Sequence, residues 1–187
     1  MVIALSVIGG LIVLVGLVFI VMYNRFKSQQ NLIAESWKQI DVELQRRYSL
    51  IPNLVETVKG YAAHESGVFE QVTAARTAAQ ARSGEGPAAR QEGEQLLGRA
   101  VTGLIAVAED YPDLKASRNF LELQEELANT EDRIAAGRRF YNGNVRAYNT
   151  RLQTVPSNIV GNMCSFEERE YFEIEDPAAR GPVNVSF

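Results

Sequence analysis

The sequence predicts an all-α membrane protein with an N-terminal transmembrane helix followed by an antiparallel bundle of long helices. Two observations carry this prediction. The run Val2–Tyr23 contains no charged residue, which is typical of a membrane-spanning helix. From Leu32 onward apolar residues recur at steps of three and four, the spacing of an amphipathic helix and not of a strand.

The anchor is the first element. As a helix, Val2–Tyr23 is about 33 Å long at about 1.5 Å per residue, close to a hydrocarbon core of about 30 Å. A cleaved signal peptide would carry a basic leading region and a small-residue cleavage site, so we expect the anchor to be retained. Arg25 and Lys27 are the first charges after it. The positive-inside rule then places the following domain in the cytoplasm and the N-terminus outside.

Three long helices follow the anchor. The periodicity predicts a first helix over 31–82, a Gly/Ser/Pro loop, a second helix over 87–110, and a third that ends before Pro156. The third helix has near-heptad spacing, and its predicted core residues are Phe120, Leu123, Leu127, Ile134 and Tyr141. The predicted organisation is therefore an anchor (1–24), a juxtamembrane linker (25–30), a helical bundle (31–156) and an irregular tail (157–187).

The first predicted helix is much longer than the second, so its membrane-side apolar stripe lacks a partner. That stripe consists of Trp37, Ile40, Leu44 and Tyr48. Leaving it in water is unfavourable because each such side chain gains about 1.5–3 kcal/mol on full burial. Two solutions stay open. The helix bends or breaks near Pro52 and supplies a fourth packing element, or a neighbouring copy covers the stripe and makes it an oligomer interface.

Polar residues flank this stripe and recur on the third helix. We expect a structural hydrogen-bond network among Asp41, Arg47, Asn53, Arg138, Asn142 and Asn149. The alternative is a solvated face whose arginine stems pack on apolar neighbours. Neither interpretation implies catalysis.

The composition argues against several classes of function. The formal net charge is −4, whereas nucleic-acid binders normally carry a basic surplus. The single cysteine, Cys164, allows no intramolecular disulfide, and the single histidine, His64, allows no His-rich metal site. We therefore expect no catalytic site, no metal and no cofactor.

Three parts of the sequence carry a family resemblance: Trp37–Tyr61 with Ala62–Glu65, Tyr141–Asn149 with Val155–Asn158, and the tail Phe166–Glu173 with Val185–Phe187. Together they resemble the signature regions of the LemA family. The resemblance covers nearly the whole chain. It implies a bacterial membrane protein with an N-terminal anchor and an antiparallel four-helix bundle of the up-and-down type. It implies no activity, because the family has no catalytic motif to carry over.

The leading hypothesis is a membrane-anchored scaffold or adaptor at the bacterial inner membrane that acts through protein contacts and self-assembly. Its expected partners are the lipid bilayer, other copies of the chain and an unidentified protein, but not nucleic acid. The alternative is a membrane signalling component that transmits a conformational change to a partner.

Overall fold

The computed structural model describes residues 1–173. These residues form α-helices and no strand, which confirms the all-α prediction. The helices are α1 (Val2–Lys59), α2 (Ser66–Ala81), α3 (Pro87–Glu109), α4 (Pro112–Lys115), α5 (Arg118–Gln153) and α6 (Ser157–Met163).

Helix α1 contains the predicted anchor. Its most apolar stretch has a mean hydropathy of 2.9, and none of that stretch is buried against the rest of the described chain. The helix continues without a break through residues 25–30, so the segment predicted as a juxtamembrane linker is helical and continuous with the anchor. Residues 25–30 include no Gly or Pro that would interrupt a helix. Phe26 and Ile33 lie seven residues apart, about two helical turns, and both are buried, so the buried face of the helix continues through this segment.

The end of α1 corrects the prediction of one helix over 31–82. The helix passes through Pro52 and ends at Lys59, and Gly60–Glu65 form the turn that leads into α2. Helix α2 is thus the fourth packing element that one of the two predicted solutions required. The break that produces it lies at Gly60 rather than at Pro52.

The described chain divides into two compact units. The first comprises Met1–Gln39 and Arg139–Tyr171. Within it α1 runs antiparallel to the second half of α5: the rings of Trp37 and Tyr141 lie 5.5 Å apart, and the Gln30 amide donates to the Tyr148 hydroxyl at 3.1 Å.

The segment after α5 folds back on the same unit, so the prediction of an irregular tail from residue 157 is only partly right. It begins with α6, and Phe166 then stacks on Phe26 with ring centroids 4.9 Å apart. The Asn149 side chain exchanges two hydrogen bonds of 2.9 Å with the backbone of Arg169. Residues 174–187 of the predicted tail lie outside the described residues.

The second unit comprises Ile40–Arg138 with the described residues Phe172 and Glu173. Four helical segments alternate in direction here: α1 beyond Ile40, α2, α3 and the first half of α5, as predicted for an up-and-down four-helix bundle. Helices α2 and α3 approach closely at Gly93, where a Cβ would lie 3.2 Å from the Ala79 Cα.

The structure buries most of the predicted core. Phe120, Leu127 and Ile134 are buried in the second unit, and Tyr141 is buried in the first. Leu123 is only half-buried, so its assignment to the core is wrong.

The apolar stripe is also covered by the chain itself. Ile40, Leu44 and Tyr48 are each at most 1% exposed, and Trp37 is half-buried against Tyr141. The prediction of an oligomer interface at these residues is therefore wrong for the three buried ones, because the turn after Lys59 brings α2 and α3 into the bundle as packing partners.

Candidate functional site

Arg47 links three helices of the second unit. Its guanidinium donates to Glu94 on α3 and, at 2.9 Å, to Glu131 on α5. The Arg47 side chain is 3% exposed. Burial by itself lowers the pKa of Arg47, but the two carboxylates outweigh burial and raise it. Arg47 is thus a buried cation that ties α1 to both neighbouring helices.

Glu94 is the central acceptor of this cluster. Its fully buried carboxylate accepts from Arg47 and from the Tyr48 hydroxyl, and Arg90 lies 3.6 Å away on the same helix. A buried carboxylate is strongly unfavourable unless it is paired and hydrogen-bonded. Several donors around one carboxylate meet that requirement.

Arg90 extends the cluster to the surface. It donates to Asp41 at 2.5 Å, to the Ser83 carbonyl oxygen at 3.1 Å and to the Tyr48 hydroxyl at 3.4 Å. Burial, reinforced by the hydrogen bond to Glu94, raises the pKa of Tyr48 to about 12. The cluster therefore keeps Tyr48 in its neutral, hydrogen-bonding form.

The predicted polar network is only partly reproduced. Asp41 and Arg47 belong to the cluster, but Asn53 is exposed on α1, because its position turns it away from the buried face that carries Ile51 and Leu54. Asn142 and Asn149 belong to the first unit. The Asn149 side chain is hydrogen-bonded to the backbone of Arg169, and Asn142 is half-buried.

The prediction also missed Arg90 and Glu94, the two most buried charged residues of the cluster. A signal for them was present. They stand four residues apart and continue the spacing of the apolar core residues Leu97, Val101 and Leu104. Opposite charges on an otherwise buried helix face indicate an internal ion pair.

A groove of about 760 Å³ runs between α3 and α5 beside this cluster. The floor of the groove is apolar and is formed by Val101, Leu127 and Ile134. Arg138 is also one of the lining residues. Small residues leave room along both helices, namely Gly98, Ala128 and Ala135. Ile105 and a set of polar and charged side chains complete the lining: Arg47, Glu94, Gln95, Arg99, Thr102, Gln124, Glu131 and Asp132.

The charged groups of this cluster are paired with one another. Its buried carboxylate is engaged by arginines and a tyrosine. Within residues 1–173 no group of three or more His, Cys, Asp or Glu side chains is placed to hold a metal ion. His64 is exposed in the turn before α2, and Cys164 belongs to the first unit.

Comparisons with known proteins found relatives that match most of this chain. The magnetosome protein MamQ 2 of Paramagnetospirillum magneticum is 29% identical, over 96% of this chain and 75% of its own length. MamQ of Magnetospirillum gryphiswaldense is 26% identical, over 86% and 68%. Protein LemA of Metamycoplasma hominis is 25% identical, over 85% and 72%.

The family model described as the LemA family matches residues 36–187, which confirms the resemblance seen in the signature segments. With its apolar N-terminal helix, this is a membrane protein. Because the match covers most of the sequence, the chain belongs to the LemA family.

Proposed function

We propose that this protein is a membrane-anchored adaptor that binds an amphipathic helix of a partner in the groove between α3 and α5. The observation that carries the proposal is the shape and chemistry of the groove. Its floor is apolar over Val101, Leu127 and Ile134, and its lining carries both charge signs, with Arg99 and Arg138 opposed by Glu131 and Asp132. Helix-in-groove recognition uses such a combination of an apolar floor and a polar rim.

The size of the lining residues also favours a helix as the occupant. Gly98 has nothing within 4 Å of a Cβ position, and Ala128 is exposed. Small side chains allow two helices to approach to the short end of the usual interaxial range of about 8–10 Å.

The buried cluster fixes the positions of the two walls of the groove before a partner binds. Arg47 contacts Glu94 on one wall and Glu131 on the other, so the two walls are joined through α1. A pre-organised site loses less conformational freedom on binding than a flexible one. This gives the ion pairs a role in binding as well as in folding.

The first partner to test is a second copy of the chain. Copies confined to one membrane meet at a raised effective concentration, which favours self-assembly. We place the assembly at the bacterial inner membrane with the bundle in the cytoplasm, since Arg25 and Lys27 follow an uncharged run.

The test uses two alanines of α5. Ala128 and Ala136 are both exposed, but only Ala128 lines the groove. Ala128→Trp should fill the groove and lower the mass of the full-length protein's assembly in detergent, measured by light scattering. Ala136→Trp is the matched control and should leave that mass unchanged. A monomeric unaltered protein, or equal masses for both variants, would contradict self-assembly through the groove.

A further inference from the structure

Three large apolar side chains are exposed at the end of the first unit that carries the anchor. Val155 is 77% exposed, Ile159 56% and Met163 71%. They are spaced by four residues, which places Ile159 and Met163 on one face of α6. Single exposed apolar residues are ordinary, but a contiguous apolar face marks an interaction surface.

The opposite face of α6 is packed against the unit. Val160 and Gly161 are buried, and a Cβ on Gly161 would lie 2.8 Å from a Leu152 methyl carbon and 3.7 Å from the Phe26 ring. Helix α6 therefore has a fixed orientation, and the face with Ile159 and Met163 is directed outward by that packing.

The position of α6 relative to the span follows from contacts within the same unit. Trp37 is opposite Tyr141 and Gln30 is opposite Tyr148. Continuing this antiparallel register brings the end of α5, at Gln153, beside Arg25.

Direct contacts place the residues after α6 at the same level. The Phe166 ring lies 5.7 Å from the Tyr23 ring, and Tyr23 ends the uncharged run. Lys27 lies over the Phe166 ring at 5.2 Å. Tyrosine and lysine at the end of a span are typical of the boundary between hydrocarbon and headgroups.

We infer that the α5–α6 turn and α6 form a second membrane contact, with Val155, Ile159 and Met163 inserted at the boundary between the lipid headgroups and the acyl chains. The occupant of this apolar face is lipid, because α6 packs on Phe26 and the residues that follow it pack on Tyr23, at the end of the uncharged run. Exposed Glu167 and Glu168 follow α6, so apolar insertion and not a surplus of positive charge drives the contact. The contact joins the anchor end of the first unit to the bilayer surface at a second point besides α1.

Spin labelling of the full-length chain in lipid nanodiscs of phosphatidylcholine and phosphatidylglycerol tests this inference. In a Cys164→Ser background, nitroxides are attached at Ile159→Cys and at Met163→Cys. The control is Gly143→Cys, an exposed position on α5 of the same unit with open space around it. The fluorescence of Trp37, which packs on Tyr141, checks that each variant keeps its fold.

Oxygen concentrates in the hydrocarbon, whereas a polar nickel chelate stays in water. We expect the ratio of oxygen to nickel accessibility to be several-fold higher at positions 159 and 163 than at position 143. Equal ratios at all three positions would overturn the inference, because α6 would then face water. Protection from both reagents at 159 and 163 would also overturn it, because another protein surface would then cover the face.

Discussion

Arg76 donates a hydrogen bond of 2.7 Å from its Nε to the backbone carbonyl oxygen of Tyr48. In an uninterrupted helix that oxygen accepts from the amide of residue 52, but residue 52 is Pro52, which has no amide hydrogen. The side chain from α2 thus occupies the acceptor that proline leaves vacant in α1. This explains how α1 continues past Pro52 to Lys59.

Replacing Arg76 by leucine should therefore destabilise the protein through Tyr48. The carbonyl oxygen would lose its partner inside the bundle, and a buried polar group without a partner costs about 1–3 kcal/mol. In a Pro52→Ala background the new amide supplies the missing donor, so the same Arg76→Leu change should cost less. Urea unfolding of the four proteins of this double-mutant cycle measures the difference. Equal losses in both backgrounds would show that Arg76 does not act through the vacant acceptor.

Two adjacent arginines should differ sharply in their contribution to stability. Arg47→Leu leaves Glu94 buried without its main cation, a change that typically costs about 3–5 kcal/mol. Arg46 pairs with Glu126 at the surface, with both side chains more than 40% exposed, and Arg46→Leu should cost at most about 1 kcal/mol. Urea unfolding compares the two. Similar losses would mean that the Arg47–Glu94 pair is open to solvent.

The stability of the bundle should fall in strongly alkaline solution. Burial raises the pKa of Tyr48 to about 12 from an ordinary value of 10.0, so the folded state holds this proton more tightly than the unfolded state does. The contribution is complete below about pH 10 and is lost as the pH rises toward 12.

Tyr48→Phe should make the decline in the free energy of unfolding between pH 10 and 12 shallower. Tyr141, whose pKa is also raised to about 12 by burial and by Glu170, contributes in the same direction. The double variant with Tyr141→Phe should therefore be shallower still. Identical slopes for the single variant and the unaltered protein would refute the role of Tyr48.

The orientation in the membrane can be tested at an exposed residue of the first unit. With Arg25 and Lys27 inside, Gly143→Cys in the Cys164→Ser background should react with a membrane-impermeant maleimide only after spheroplasts are lysed. Labelling of intact spheroplasts would reverse the proposed orientation.

Periodicity predicted the helices well and their breaks less well. Both ends of α3 and the C-terminal end of α5 lie within three residues of prediction, because Pro87, Pro112 and Pro156 mark these boundaries in the sequence. The end of α1 was misplaced because the apolar spacing runs on from Val58 to Ala62 and Phe69, across the turn that begins at Gly60. At Pro52, where the sequence offered a break, the helix continues, and the hydrogen bond to the Tyr48 carbonyl oxygen comes from Arg76, 28 positions away. No local pattern contains that contact.

The sequence by itself determined the apolar span, the all-α class and the heptad face that buries Phe120, Leu127 and Ile134, because these depend on hydrophobicity and on the 3.6-residue helical repeat. Only the tertiary structure decided that Arg47, Arg90 and Glu94 share one buried cluster. It also decided that Ile40, Leu44 and Tyr48 are covered by the chain's own helices. Burial of a charge or of an apolar stripe depends on which distant helix packs beside it, and that choice is made by the turn after Lys59 and by the pairing of helices far apart in the chain.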